Sequence, residues 1–132
     1  MHAFLIELAD KPGALADVAE AIAAKGVNIV SVSGATCGEM GRIAIATDDS
    51  ANTRAALADI QCTFEQKEIT TTLLPNQPGS LAKAARQLAN KGVNVESVML
   101  TGMKGQDVEV GFVTSDPVVA RDALAHAGSM TG

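Results

Sequence analysis

Few residues of this 132-residue chain could carry covalent or metal chemistry, and they are scattered. His2 and His126 stand near opposite ends of the sequence, have no nearby partner for catalysis or metal binding, and read as surface histidines. Cys37 and Cys62 are far apart and make no ligand-spaced pair, so neither a zinc ribbon nor a disulfide framework is expected, and both read as unpaired packing residues. Ser31 and Ser97 lack the surroundings of a nucleophile elbow. Asp48-Asp49 reads as a helix cap rather than a metal site. No catalytic residue, metal or cofactor is expected, and the chain reads as a non-enzyme. The groups suited to recognition are two loops, each at the start of a helical pattern: Asp10-Lys11-Pro12-Gly13-Ala14-Leu15 and Asn76-Gln77-Pro78-Gly79-Ser80-Leu81. A helix N-terminus offers unpaired N–H groups and a favourable dipole to a carboxylate, and glycine lets a ligand approach the backbone closely. Asn28 and Asn94, each after a Gly-Val pair, carry amides that both donate and accept.

These groups recur because the chain is duplicated. Residues 10–32 and 76–98 are identical at twelve of 23 positions with an offset of 66, too many for chance similarity of two helices. The match continues at an offset of 67, with Thr47 on Thr114, Asp49 on Asp116, Arg54 on Arg121 and Leu57 on Leu124. One residue has been gained or lost near Gly38–Gly41 and Gly102–Gly105, and a glycine-rich insertion is expected in a hairpin turn. Domains are therefore expected at 1–66 and 67–132.

Each copy must position its loop with the same elements. Alternating Phe4, Ile6 and Leu8 predict a strand over 2–8. Asp10 could cap the next helix, with Pro12 in its first turn. Leu15, Val18, Ala19, Ile22 and Ala23, and in the second copy Leu81, Ala84, Ala85, Leu88 and Ala89, recur at helical spacing. Gly26 and Gly92 suit the left-handed position that ends a helix. Strands are predicted at Val27–Ser33 and Val93–Leu100, then near Arg42–Thr47 and Val108–Thr114. A second helix opens at Asp116-Pro117, and residues near Cys62–Gln66 could form a fourth strand. The Thr70-Thr71-Thr72 run predicts a half-exposed strand. The order is βαββαβ, so the fold class is α+β: two ferredoxin-like units with antiparallel sheets. The second unit's fourth strand would fall on Gly128–Gly132, which is poor in strand formers, and is expected to be short or missing.

Composition excludes several functions. The only aromatics are three Phe, which leaves no stacking platform for single-stranded nucleic acid, and the net charge of −5 provides no basic footprint, so no nucleic-acid partner is expected. No apolar run reaches the roughly 18 residues of a membrane span. The first residues lack a basic region and meet Glu7, unlike a secretory signal. A soluble, cytoplasmic protein is expected.

The ordered combination of a strand, [Asp/Asn]-x-Pro-Gly-x-Leu opening a helix, and Gly-Val-Asn before the next strand resembles the ACT domain family, in both copies. The resemblance implies a tandem pair of small-molecule sensor domains, usually for amino acids, acting on an enzyme or regulator. It implies a ligand held where two domains pair, by the pre-helix loop of one and the asparagine region of the other. Carried over, the ligand-binding residues are Asp10, Lys11, Pro12, Gly13, Ala14, Leu15, Asn28, Ile29, Asn76, Gln77, Pro78, Gly79, Ser80, Leu81, Asn94 and Val95. Leu8 and Leu74 stand where some members carry a ligand-binding histidine, which implies a more apolar wall. Asn76 can serve either end of a zwitterion whereas ionised Asp10 repels a carboxylate, so the Asn76 site is expected to be the better one.

Blander readings remain beside these. Asp10 and Asn76 also read as helix caps, and Asn28 and Asn94 as turn residues after glycine. The alternative function is a protein-binding adaptor or structural module with no small-molecule ligand. Assembly is constrained too. If the second strands of both copies joined, about six strands, or roughly 29 Å, would separate the fourth strand of one copy from the first of the next. Spanning that takes on the order of nine extended residues, and too few lie between Phe64 and Ile69. The fourth strand is then short or exchanged, or second strands pair between two chains. With an open sheet edge, a homodimer is expected.

Overall fold

The computed structural model describes residues 1–38 and 40–129, without the side chains of residues 36, 37, 40 and 126–129. The chain divides into two compact units, Met1–Lys67 and Glu68–Gly132. The first contains β1 (His2–Ala9), α1 (Ala14–Ala24), β2 (Ile29–Cys37), β3 (Met40–Thr47), α2 (Ser50–Asp59) and β4 (Phe64–Glu68), the last reaching one residue past the boundary. Its sheet order is β2-β3-β1-β4, the ferredoxin-like order. The second contains β5 (Thr70–Pro75), α3 (Ser80–Asn90), β6 (Val95–Lys104), β7 (Asp107–Thr114) and α4 (Pro117–Ser129). Among the described residues its sheet has three strands, β5-β7-β6, and Gly128 and Ser129 lie in α4 rather than in a strand. Met130–Gly132, the rest of the expected fourth strand, lie outside the described residues.

The fourth strand of the first unit is short, five residues, and lies beside β1 of its own sheet. Each unit has its own core. In the first, Phe4, Ile6 and Ile45 of the sheet meet Val18 and Ile22 of α1 and Ala56 and Leu57 of α2. In the second, Leu74, Val110 and Phe112 meet Ala84 and Leu88 of α3 and Ala120, Ala123 and Leu124 of α4. The helical stripe is narrower than its spacing suggests. Leu15 and Leu81 are 52% and 50% exposed, and Ala23, Ala85 and Ala89 are also exposed.

Backbone rules explain where the elements stop. Gly26 at φ +73° accepts the left-handed position after α1, its N–H bonds Ala23 O, and Val27 N–H bonds Ile22 O. Gly92 and Val93 do the same after α3. This Schellman closure uses Val27 and Val93, so the strands begin at Ile29 and Val95, two residues later than predicted. After α2 the same pattern falls on Gln61, the one non-glycine described at positive φ (58°), and on Cys62, which delays β4 to Phe64.

The residue gained between the copies is not in a turn. Cys37 pairs with Met40 and Lys104 with Asp107, so two residues link the strands in each hairpin. Gly105, at φ +61°, takes the first place of the second hairpin loop. The register shifts instead between Leu100 and Gly102, which makes Thr101 a β-bulge. Its hydroxyl donates to the Glu109 carboxylate at 2.7 Å, a partner for the displaced residue.

Candidate functional site

Both Pro-Gly loops fold alike, and neither is a side-chain cap. Gly13 has φ +90°, ψ −12°, Gly79 has φ +90°, ψ −13°, and each is the N-cap of its helix with no side-chain cap bond. Ala14 N–H reaches Lys11 O and Ser80 N–H reaches Gln77 O. These are type II β-turns with proline second and glycine third, where positive φ is required. Asp10 and Asn76 are therefore not the caps, because the N-cap position falls three residues later, on Gly13 and Gly79. Pro12 lies before the helix rather than in its first turn. With no capping side chain, first-turn amides beyond Ala14 and Ser80 stay available to an acceptor.

In the first unit the loop borders a cavity of about 230 Å³. Asp10, Lys11, Ala14 and Leu15 line it from the loop and helix, Leu8 and Ala9 from β1, and Gly34, Ala35, Gly41 and Ile43 from the β2–β3 hairpin. Its walls are largely apolar, with one carboxylate and one ammonium at the rim. The hairpin residues were not expected from sequence. Gly34 was the available signal: a Cβ there would fall 2.6 Å from Ile43 Cγ2 and 2.8 Å from Arg42 O, so only glycine fits. A wider groove of about 740 Å³ shares Leu8, Ala9, Lys11 and Ala14 with this cavity and is also bordered by Glu7, Asp17 and Glu20 and by Gln61, Cys62 and Thr63. Cys62 is free and half-buried, and burial pushes its thiol up. The side chains of Cys37 and His126 lie outside those described, while His2 is exposed, with Nδ1 3.5 Å from Ser50 Oγ.

In the second unit, Asn76 N–H bonds Gln106 O in the β6–β7 turn, so this hairpin also backs the loop. Ser80 occupies the position of Ala14. It is 6% exposed and its Oγ has no hydrogen-bond partner.

The asparagines are elsewhere. Asn28 and Asn94 are exposed and precede β2 and β6. Ala9, beside the first loop, pairs with Met40, whereas Ile29, beside Asn28, pairs with Thr47. Seven steps of β3 separate those ends, roughly 23 Å. The second unit repeats this, with Pro75 on Asp107 and Val95 on Thr114. Within one unit, therefore, loop and asparagine do not meet. Asn94 is tied by backbone to Ser115, its N–H bonding Ser115 Oγ at 3.0 Å and its carbonyl accepting from Ser115 N–H at 2.9 Å.

The helix starts expected at aspartate are present. Asp49 caps α2, accepting from Asn52 N–H at 3.0 Å and Asn52 Nδ2 at 2.7 Å, which holds its carboxyl below the usual range. Asp116 accepts from Val119 N–H at 3.1 Å, and Pro117 begins α4. Among the described residues no group of three or more His, Cys, Asp or Glu could hold a metal ion, and no helix is long and apolar enough to cross a membrane.

A ferredoxin-like unit whose first strand enters a helix through a Pro-Gly turn defines the class. Residues 2–61, most of the first unit, match the family model of the ACT domain. No curated protein matches the sequence significantly. The fold recurs in the crystal structure of protein BT0572 from Bacteroides thetaiotaomicron, at 23% identity and a TM-score of 0.80, covering 95% of this chain and 86% of that one. It recurs in the ligand-free regulatory subunit of aspartate kinase from Thermus thermophilus, at 21% identity and a TM-score of 0.70, covering 98% and 91%. The corresponding subunit from Thermus flavus matches at 20% identity and a TM-score of 0.63, covering 96% and 92%.

Proposed function

We propose that this chain is a cytoplasmic regulatory protein of two ACT units, not an enzyme, and that it binds a free amino acid at its Pro-Gly loops. The cavity beside the first loop is the observation that carries the reading. Its largely apolar walls suit a side chain, the uncapped start of α1 would meet a carboxylate, and Asp10 would meet an ammonium. The regulatory subunits of aspartate kinase that share the fold fit this role.

Because loop and asparagine stand at opposite ends of each unit, the asparagine that meets a ligand would come from a unit other than the one that supplies the loop. A homodimer, favoured by the open sheet edge, is part of this reading. Occupancy would then bias how two copies pair and how they contact an enzyme or regulator, through the ligand's different affinity for the two states.

A thermal-shift panel of the twenty amino acids on the full chain tests this. A ligand at about 100 times its dissociation constant should add roughly 2.7 kcal/mol of stability, a shift of several degrees. A selective shift by one chemical group of amino acids supports the reading, and none with any of them rejects it. The second reading, a module that binds only protein, is favoured by Leu100 and Met103 on β6, which are 67% and 65% exposed.

A further inference from the structure

We infer that Gly41 opens the ligand site of the first unit and that Val108 fills the same place in the second, so that each chain binds one aliphatic amino acid, at its first loop. The inference rests on the function proposed above and narrows it. Successive residues of a strand face opposite sides of a sheet. Gly41 therefore shares the helix-covered face with Ile43 and Ile45, and Val108 shares it with Val110 and Phe112. The two hold the same register position: Gly41 pairs with Leu8 of β1, and Val108 with Leu74 of β5.

The burial of those partners differs. Leu74 is 3% exposed and belongs to its core, and Val108 packs against that core. Leu8 is only half-buried, and it and Gly41 both line the cavity beside the first loop. The core layer of the second unit runs to the end of its sheet, whereas that of the first stops one side chain short. Atoms that line such a gap lose dispersion contacts on the open side. The side chains of Leu8, Leu15 and Ile43 face it, so the group that restores those contacts is aliphatic, of about the size that Val108 supplies. The charged ends of the same ligand stay at the rim, beside Asp10 and Lys11. The loops then rank in the reverse of the order that Asn76 and Asp10 suggest, because Val108 stands where the ligand's side chain would go.

The test is calorimetric titration of the full chain with alanine, valine and leucine, and with lysine and aspartate as charged controls. Wild type should take up one equivalent of valine per chain and bind it more tightly than either control. Gly41→Ala adds one methyl group to the cavity and should weaken valine and leucine roughly tenfold while sparing alanine. Gly41→Val copies the second unit and should weaken all three by about a hundredfold. Its melting temperature checks that it folds. If it does not, Gly41→Ala decides by the order of ligand size, which a general loss of structure would not produce. Two equivalents per chain, tighter binding of a charged control, unchanged affinities in a folded Gly41→Val, or equal losses for alanine and leucine in Gly41→Ala would each overturn the inference while the proposed function stands. If wild type binds none of the twenty amino acids, both fall.

Discussion

The two units keep the same backbone devices and differ in their side-chain partnerships. Both use a Pro-Gly turn with glycine at φ +90°, both close the next helix with glycine near φ +72°, and both open the last helix on aspartate. Side chains have drifted one partner at a time. Thr47 Oγ1 lies 2.8 Å from Thr53 Oγ1 in the first unit, but in the second Ala120 stands at the position equivalent to Thr53, and the Thr114 hydroxyl is buried without a partner. Positive φ leaves glycine as the fitting residue at those turns, whereas a buried pair can lose one member and leave a fold that still forms.

Core volume shows a trade of another kind. Phe4 on β1 stands opposite Ile45 on β3, and Thr70 on β5 stands opposite Phe112 on β7. The aromatic has moved to the other strand of the same pair. Phe4 is 0% exposed and Phe112 2%. Phe4→Ala or Phe112→Ala should each cost about 3–5 kcal/mol. Phe4 also packs on the Phe64 ring, with centroids 5.9 Å apart, so its loss should be the larger. Denaturant melts give the size and hydrogen exchange the place. Phe4→Ala should deprotect β1, β3, α1 and α2, and Phe112→Ala should deprotect β5, β7, α3 and α4. Equal deprotection of both units by either change would contradict separate cores.

The buried threonines sharpen the comparison because the same substitution should act with opposite sign. Thr114→Val removes an unpaired hydroxyl and should stabilise by about 1 kcal/mol. Thr47→Val takes a partner from Thr53, which keeps only its 2.7 Å bond to Asp49 O, and should destabilise by about 1 kcal/mol. Two melting temperatures decide it. Both moving in the same direction would mean that the Thr47–Thr53 contact is not what distinguishes the units.

Much of this was legible because repetition doubled each signal. Gly26 and Gly92 marked helix ends correctly, and Asp116-Pro117 marked a helix start. Two kinds of feature were not legible. Asp10 and Asn76 have the composition of caps, but Pro-Gly moves the helix start past them, and composition does not report that shift. The extra residue was assigned to a glycine-rich turn, although Thr101 shows that a strand can absorb it as a bulge. For the site, the loops were visible as motifs, but the Gly34, Ala35, Gly41 and Ile43 wall was not. That wall depends on β3 pairing beside β1 in the sheet, a tertiary contact with no local pattern. Leu15 and Leu81 share the helical spacing of the core residues yet are half exposed, because spacing alone does not tell a core position from the edge of the stripe.

The smallest expected difference lies at the starts of α2 and α4. Asp49 is held in its charged form first by the N–H of Asn52 and then by that residue's side-chain amide. Val119, which stands where Asn52 does, has no amide to offer Asp116. A carboxyl with a depressed folded pKa contributes stability that is fully present above its unfolded value, about 3.9 for Asp. That contribution is lost as pH falls through the folded value. Asn52→Val converts one helix start into the other while keeping the backbone bond. The wild type should therefore lose more melting temperature than Asn52→Val as pH drops from about 5 to below the ordinary Asp range. The two should run parallel above pH 5. A difference that persists unchanged from neutral pH downward would assign the effect of Asn52 to helix packing, and the charged cap would then distinguish nothing between the two units.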